Sequence, residues 1–282
     1  MTLPRIGVFD SGVGGLTVLK AMAEQVPAHY LYFGDTARLP YGTKSAETVA
    51  RYSIAATHFL ESQSIDLLVI ACNSATALAL PSVRQAAAVP VVGVVQPGAT
   101  MAAEVSKTRA AIVVATEATV SSHAYRDALQ QRGLEAYEKA CPLFVPLVEE
   151  GWIDHPVTEQ VARIYLGEAM AQASDKADVL VLACTHYPLI APLLRRITPA
   201  HVQIVDSAES TARAVKERFR INGGAPARLF STRGGDSPSA SGNMEHRTFR
   251  FYVTDSVDKF KRLATRFLGR QVDHVEHVDL GG

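Results

Sequence analysis

Short apolar runs alternate with amphipathic stretches along most of the chain. The runs are rich in aliphatic and β-branched residues, a composition typical of strands that are buried on both faces of a sheet. Most intervening stretches repeat apolar residues at helical spacing, as Leu16, Leu19, Met22 and Val26 do after the first run. This alternation predicts an α/β fold with parallel sheets flanked by helices. The predicted strands are 6–9, 30–33, 67–71, 91–95, 111–115, 143–146, 179–183, 203–206 and 249–253.

Two of the predicted strands end in the same way. Residues 69–75 read VIACNSA and residues 181–187 read VLACTHY, so each apolar run ends in Ala-Cys and is followed by a polar turn. Cys72 and Cys184 would then stand where a strand passes into a helix. Open α/β sheets bind their ligands at this carboxyl edge. The repeat therefore predicts one site that is assembled from two halves of the chain.

The order of the predicted elements divides the chain into two lobes. A new alternating unit begins after residues 96–98, and the chain returns to the first unit near 205–210. The expected lobes are residues 1–97 plus 207–282 and residues 98–206. The segment 222–243 is rich in Gly, Ser and Pro and is predicted to be an exposed loop. Residues 257–268 are predicted to form a terminal amphipathic helix.

Composition narrows the class of protein. The 282 residues carry 28 basic and 28 acidic side chains, so no charge excess indicates a nucleic-acid or membrane-surface partner. The three cysteines lack CxxC spacing, which argues against a disulfide framework or a zinc site. This cysteine usage favours a reducing compartment, and the cytoplasm is the default expectation. The first residues do not resemble a signal peptide. Residues 85–103 are uncharged, but Pro90, Gly93 and Pro97 interrupt them, so no membrane span is expected.

The paired cysteines suit proton transfer at a carbon atom. Two thiols on opposite sides of a cavity can remove a proton from one face of a carbon and return one to the other face. A free thiol has a pKa of about 8.5, and a helix start is expected to lower the pKa of Cys72 and of Cys184 modestly, toward about 7. A lone strand-end cysteine is more often structural, but the shared context favours a functional pair. Cys141 lacks that context and is interpreted as a packing residue.

Asp10-Ser11-Gly12 closes the first predicted strand and admits three interpretations. A dinucleotide-binding turn would need a third glycine where Thr17 stands. An aspartyl phosphatase would need a second aspartate where Gly12 stands. The third interpretation makes Asp10 a site carboxylate that assists a thiol or holds a substrate ammonium group, with helix capping by Asp10 or Ser11 as the structural alternative.

Other polar residues near these segments have both a functional and a structural interpretation. His186, two residues after the second cysteine of the repeat, could tune the thiol or shuttle its proton, or could hydrogen-bond within the turn. Pro40-Tyr41-Gly42 is typical of a turn whose amides could bind a carboxylate. Asn73, Ser74 and Thr185 either cap the helices after the cysteines or bind an anionic ligand.

Together, these segments resemble the glutamate racemase family. The matches follow one another in order over nearly the whole chain, and several ordered motifs are far more specific than any one of them. They cover residues 7–16, 32–36, 40–42, 71–75, 93–98, 141–148, 182–189, 251–254, 259–260 and 266–269. Segment 222–243 matches no motif. Ser74 stands where a threonine is usual, which keeps the hydroxyl and removes a methyl group.

The resemblance implies two pseudosymmetric lobes, each a mostly parallel sheet flanked by helices, with the active site in the cleft between them. It implies that Cys72 and Cys184 are the two acid/base residues and that Asp10 and His186 assist them. The implied substrate contacts are Asp10, Ser11, Tyr41, Gly42, Asn73, Ser74, Thr116, Thr119, Thr185 and His186.

The resulting hypothesis is an isomerase that converts L-glutamate to D-glutamate for peptidoglycan without a metal, a nucleotide or pyridoxal phosphate. A pyridoxal enzyme would need a Schiff-base lysine, and no lysine follows a buried strand in a site-like turn. An assisting family glutamate would fall on Glu149 or Glu150. Racemases of aspartate or of a hydantoin remain alternatives, and so does a non-catalytic protein that binds an acidic amino acid. The expected partner is the small-molecule substrate glutamate, and a homodimer is left open.

Overall fold

The computed structural model describes residues 3–174, 176–221 and 248–281. Within these ranges the chain folds into two parallel β-sheets with helices packed on their faces, and no helix has the length and apolar character needed to cross a membrane. The strands are β1 (Arg5–Asp10), β2 (His29–Gly34), β3 (Leu67–Ile70), β4 (Val91–Gly93), β5 (Ala110–Ala115), β6 (Glu135–Ala140), β7 (Val179–Ala183), β8 (Gln203–Asp206), β9 (Phe249–Val253) and β10 (Val275–His277). The α-helices are α1 (Leu16–Gln25), α2 (Ala46–Ser62), α3 (Asn73–Ala86), α4 (Val95–Val105), α5 (Glu117–Ser121), α6 (Ala124–Gln130), α7 (Phe144–Glu150), α8 (Pro156–Gln172), α9 (Ala191–Ile197), α10 (Ser207–Ile221) and α11 (Val257–Leu268).

The two sheets have related topologies. The first has the strand order β10-β9-β2-β1-β3-β4, and the second has the order β6-β5-β7-β8. All neighbouring strands run parallel, which confirms the predicted α/β class with two sheets. The strand that precedes each of Cys72 and Cys184 lies beside the first strand of its own half, β3 beside β1 and β7 beside β5.

The strand register aligns the carboxyl ends of β1 and β3 in the first sheet and those of β5 and β7 in the second. Phe9 pairs with Ile70 in the first sheet, and Ala115 pairs with Ala183 in the second. Because parallel strands present their carboxyl ends at the same edge, the turns that follow these residues emerge side by side within each sheet.

One apolar cluster of buried side chains extends from the first sheet to the second. It includes Val8 and Val69 of the first sheet and Val114 and Leu182 of the second. Helix α1, which follows the first strand, packs directly against α10, which follows the last strand of the second sheet. The two halves are therefore held together by buried apolar surface, which stabilises their relative position by about 25 cal/mol for each Å² removed from water.

Four details of the predicted strands are wrong. Segment 143–146 is the start of α7, with Leu143 as the N-cap residue. The buried residues Phe144 and Val148 stand four positions apart while Leu143 is half-exposed, and this spacing is helical. The strand in this part of the chain is β6, which the pattern does not predict because its sequence EAYEKA has no apolar run. The short strand β10 is not predicted for the same reason, and both strands lie at the edge of a sheet. The predicted strand 91–95 runs too far, because β4 ends at Gly93 and α4 begins at Val95.

The segment expected to separate the two lobes lies inside α4. Val95, Ala99 and Ala102 of this helix pack in one cluster with Val113 and Val181 of the second sheet. Helix α10 contacts both α1 and α4. The exact limits of the lobes stay a prediction, and the predicted loop 222–243 lies outside the described residues.

Candidate active site

The carboxyl ends of strands from both sheets open onto one cavity of about 400 Å³. Parallel sheets bind their ligands at this edge, and the volume is that of a small-molecule site. Cys72 lines the cavity from the first sheet and Cys184 from the second. The other predicted residues that line it are Ser11, Tyr41, Gly42, Asn73, Ser74, Thr116, Thr185 and His186. A cavity of similar volume between β4, α4 and α10 is lined by none of these residues.

Both cysteines are nearly enclosed at the ends of their strands. Cys72 is 6% exposed and precedes α3, where its sulfur accepts a hydrogen bond from the Ala75 amide at 3.4 Å. Its thiol donates to Ser11 Oγ at 3.4 Å. Cys184 is 5% exposed and follows β7 directly. The third cysteine, Cys141, is fully buried, and its thiol donates to the Lys139 carbonyl.

Burial controls the acidity of the two cavity thiols. It raises the pKa of Cys72 to about 11, assisted by the charge of Asp10 and opposed by hydrogen bonds from Ser11 and Ala75. It also raises the pKa of Cys184, against a backbone hydrogen bond from His186. The expectation of a modestly lowered thiol pKa is therefore wrong, because loss of contact with water outweighs the stabilisation that a helix start gives to a thiolate.

Asp10 is a buried carboxylate that, like Thr119, stands outside the cavity lining. Its Oδ2 accepts a hydrogen bond from the Gly12 amide at 2.8 Å. Burial raises its pKa, while the charge of His186 and the hydrogen bond from Gly12 lower it. Helix α1 has Gly15 as its N-cap residue, so neither Asp10 nor Ser11 stands at the N-cap position, although a hydrogen bond from the Gly15 amide also lowers the pKa of Asp10.

The glycines after β1 serve close contact between the two halves of the molecule. A Cβ atom added to Gly14 would lie 2.5 Å from His186 Nδ1 and closer still to Thr185 Oγ1. Thr17 Oγ1 also donates a hydrogen bond to the Thr185 carbonyl at 2.9 Å. The loop after β1 therefore packs directly on the turn that carries Cys184.

His186 is held by a carboxylate on α7. Its Nε2 lies 3.0 Å from Glu149 Oε1, and both side chains line the cavity. Burial opposes ionisation of Glu149, but the hydrogen bond and charge of His186, together with the charge of Lys259, lower its pKa overall. Of the two glutamates that the sequence left open, Glu149 reaches His186, whereas Glu150 is exposed.

Three hydroxyl groups form a cluster at one side of the cavity. Ser74 Oγ lies 2.9 Å from Thr116 Oγ1, and Thr116 Oγ1 lies 3.0 Å from Thr119 Oγ1. Ser74 and Thr116 line the cavity, whereas Thr119 is fully buried and stands outside its lining. Thr119 is therefore placed to support the other two hydroxyls and not to touch a ligand in the cavity.

The hydroxyl of Tyr41 donates a hydrogen bond to a buried carboxylate. It donates to Asp35 Oδ2 at 2.5 Å, and Asp35 Oδ1 accepts a second hydrogen bond from Thr254 at 2.9 Å. Burial raises the pKa of Tyr41, and the charge of Asp35 raises it further. The turn 40–42 thus presents its backbone and ring to the cavity while the hydroxyl anchors it to the first sheet.

Sequence reasoning missed several residues of the lining. Pro142, Val145 and Pro146 form an apolar side of the cavity, and Lys259 of α11 brings a positive charge from the C-terminal part of the chain. Lys259 falls in one of the matched motifs, but nothing in the local pattern assigns it to a site.

Within residues 3–174, 176–221 and 248–281, no group of three or more His, Cys, Asp or Glu side chains is placed to hold a metal ion.

Comparison with known proteins shows the family of this chain. A model of the Asp/Glu/Hydantoin racemase family matches residues 6–215. The chain belongs to this racemase family. The resemblance drawn from the motifs is confirmed, and so is the prediction of an isomerase.

Relatives of this racemase match it along almost its whole length. It is 59% identical over 286 residues to the glutamate racemase of Koribacter versatilis (strain Ellin345), covering 99% of this chain and 98% of the relative. The crystal structure of glutamate racemase from Francisella tularensis subsp. tularensis SCHU S4 in complex with D-glutamate has a TM-score of 0.82 at 33% identity and covers 99% of both chains. Glutamate racemase from Thermus thermophilus in complex with β-chloro-D-alanine has a TM-score of 0.81 at 40% identity and covers 98% of this chain and 97% of that one.

Proposed function

We propose that the protein interconverts L-glutamate and D-glutamate, with Cys72 and Cys184 as its two acid/base groups. The observation that carries the proposal is that two thiols, one from each parallel sheet, line a single cavity. The relatives support the substrate, because those matching over nearly their full length are glutamate racemases and one was solved with D-glutamate. From the family we also infer that the D-glutamate supplies peptidoglycan synthesis.

Inversion at Cα requires a base on one face and an acid on the other. One cysteine, as the thiolate, takes the Cα proton and becomes a thiol. The other thiol gives its proton to the opposite face of the carbanion and becomes a thiolate, which completes the inversion. The two cysteines exchange roles in the reverse direction.

The raised thiol pKa defines what substrate binding must achieve. A thiolate has to form in a buried place, and the α-ammonium group of an amino acid beside the cysteines would favour it through its positive charge. The Ser11 hydroxyl can turn to donate to the Cys72 thiolate. We assign Asp10, which stands outside the cavity lining, the role of assisting Cys72, and His186, oriented by Glu149, the role of assisting Cys184.

The substrate carboxylates are assigned to neutral donors that face the cavity. The hydroxyls of Ser74 and Thr116 and the backbone of Gly42 lie on one side and suit one carboxylate. Asn73 and Thr185 follow the two cysteines and suit the other carboxylate.

With all three cysteines unpaired, the protein fits a reducing compartment, and we place it in the cytoplasm.

Solvent deuterium exchange tests this function. In D₂O, each glutamate enantiomer should gain one deuterium at Cα while the circular dichroism signal of the amino acid decays to zero. Aspartate is the matched control substrate, and inversion of aspartate without inversion of glutamate would assign a different substrate. Saturable binding of glutamate without any exchange would mean a passive binding protein and would overturn the proposal.

A further inference from the structure

The side chain of Asn73 is held by two hydroxyl groups, one from α6 and one from the start of α10, which follows the last strand of the second sheet. Asn73 follows Cys72 and begins α3, which extends from the first sheet. Its Oδ1 accepts a hydrogen bond from the Tyr125 hydroxyl of α6 at 2.7 Å, and its Nδ2 donates to Ser207 Oγ of α10 at 3.2 Å. Asn73 is only 2% exposed, and it lines the cavity between the cysteines.

These two hydrogen bonds fix the amide and still leave it capacity to bind. A primary amide has two N–H donors and two acceptor positions on its oxygen. Tyr125 and Ser207 occupy one of each and leave one of each for a ligand. An amide group rotates broadly about χ2 when it is free, so holding it in advance reduces the ordering that a ligand must cause.

Tyr125 reaches Asn73 because the chain turns sharply between α5 and α6. The turn is made by His123, whose φ of 55° lies in the left-handed region and whose Nδ1 lies 2.8 Å from Glu138 Oε2 on β6. A residue other than glycine keeps this conformation only where its surroundings hold it. The contact with Glu138 is one of the interactions that can hold His123 in this conformation.

Helix α4 leaves space for the Tyr125 ring at a glycine. A Cβ atom added to Gly98 would lie 3.1 Å from the Tyr125 hydroxyl oxygen and 3.2 Å from its Cε1 atom. Any side chain at position 98 would therefore press on the ring. This contact gives a physical reason for the glycine that ends motif 93–98.

Burial favours the protonated form of the Tyr125 hydroxyl, which can donate a hydrogen bond. Tyr125 is fully buried, and burial raises its pKa above the ordinary value of 10.0, with the charges of Cys184 and Asp206 acting in the same direction. The phenol therefore keeps its proton and its hydrogen bond to Asn73.

We propose that Tyr125 is a positioning residue that orients the Asn73 amide for the substrate. The proposal rests on the proposed function, because it concerns the same substrate site. Tyr125 lies outside the cavity lining and acts only through Asn73. Gly98 and His123 serve the same arrangement by letting the phenol approach.

The substitution Tyr125→Phe removes the hydroxyl and keeps the ring. Loss of this one hydrogen bond should raise KM for both glutamate enantiomers about 3- to 10-fold, while kcat changes less than about twofold. Tyr252→Phe is the matched control, since Tyr252 is buried in the first sheet and its hydroxyl faces Gln63 outside the cavity. The control should keep the KM of the unmodified protein.

A double-mutant cycle separates positioning from general loss of packing. In an Asn73→Ala background, Tyr125→Phe should have no further effect on KM. The same increase in KM in both backgrounds, or a loss in kcat alone, overturns the proposal.

A crystal structure of Tyr125→Phe gives a readout that does not depend on the reaction. A rotated or disordered Asn73 amide supports the positioning role, and an unmoved amide overturns it. If the unmodified protein exchanges no Cα proton of glutamate, the proposed function fails, and the amide orientation still decides the role of Tyr125.

Discussion

His186 Nε2 lies 3.0 Å from Glu149 Oε1, and this hydrogen bond joins the turn after β7 to the last turn of α7. The His186 ring also packs edge-on against Phe267 of α11, with ring centroids 5.2 Å apart. The hydrogen bond at one ring nitrogen determines which tautomer the other nitrogen presents. Two helices from different parts of the chain therefore orient the imidazole that stands beside Cys184.

Replacing Glu149 with glutamine should lower kcat/KM for glutamate about 10- to 100-fold. A hydrogen bond to a charged group is worth about 1.5–3 kcal/mol, and glutamine keeps an acceptor but loses the charge. Initial rates by circular dichroism measure the change. Glu150→Gln is the matched control, because Glu150 is exposed, and equal losses in the two variants would contradict the role of Glu149.

Replacing either Cys72 or Cys184 with serine should slow inversion about 10²- to 10⁴-fold, the usual contribution of a positioned acid or base. Each variant keeps one thiol, so each should still exchange the Cα proton of the enantiomer that faces this thiol. Proton NMR in D₂O separates exchange from inversion. Cys141→Ser is the control and should keep turnover, because Cys141 lies outside the cavity lining. Full inversion by either active-site variant would refute the two-thiol mechanism.

Alkylation of Cys72 should be slow at neutral pH and should keep rising in alkaline solution. With a pKa raised to about 11, the fraction of thiolate grows with each step in pH below that value. The rate with iodoacetamide should therefore increase about tenfold per pH unit from pH 7 to 10, whereas an ordinary thiol of pKa about 8.5 levels off above pH 9. Mass spectrometry of the Cys72 peptide, with glutathione as the reference thiol, measures both curves. A plateau for Cys72 near pH 8.5 would show that burial does not control its acidity.

Gly14→Ala should destabilise the protein and impair the reaction together. The added methyl group would collide with Thr185 and His186, and overpacking of this kind costs about 1–3 kcal/mol. Urea unfolding and racemisation rates measure the two effects. The matched control is Gly167→Ala in α8, where an added Cβ meets nothing within 4 Å. That control should stabilise the helix by about 0.5–1 kcal/mol and leave the rate unchanged. A Gly14→Ala variant as stable and active as the control would contradict the close packing described here.

Local sequence patterns predicted the convergence of Cys72 and Cys184 on one cavity. Each stands at the end of an apolar run, and parallel sheets bring such ends to a common edge, so a repeated local pattern was enough. The same reasoning placed Asp10 and His186 nearby, because each lies within two positions of a strand end or of a cysteine.

Features that depend on packing could not be predicted in this way. Glu149 and Glu150 are neighbours at the end of one helix, and only the approach of α7 to the turn after β7 distinguishes them. Lys259 lies on a helix whose amphipathic pattern is visible, but its neighbours come from distant parts of the chain. The thiol pKa was misjudged because a helix start can be recognised in a sequence whereas depth of burial cannot.

The first sheet is completed from the far end of the chain. Strand β9 pairs with β2, β10 pairs with β9, and α11 then supplies Lys259 and Phe267 to the site. A nascent chain on the ribosome carries both cysteines well before these elements emerge from the exit tunnel. Translation must therefore pass α11 before the His186 ring can be packed, so an incompletely synthesised chain has both thiols without a finished pocket around them.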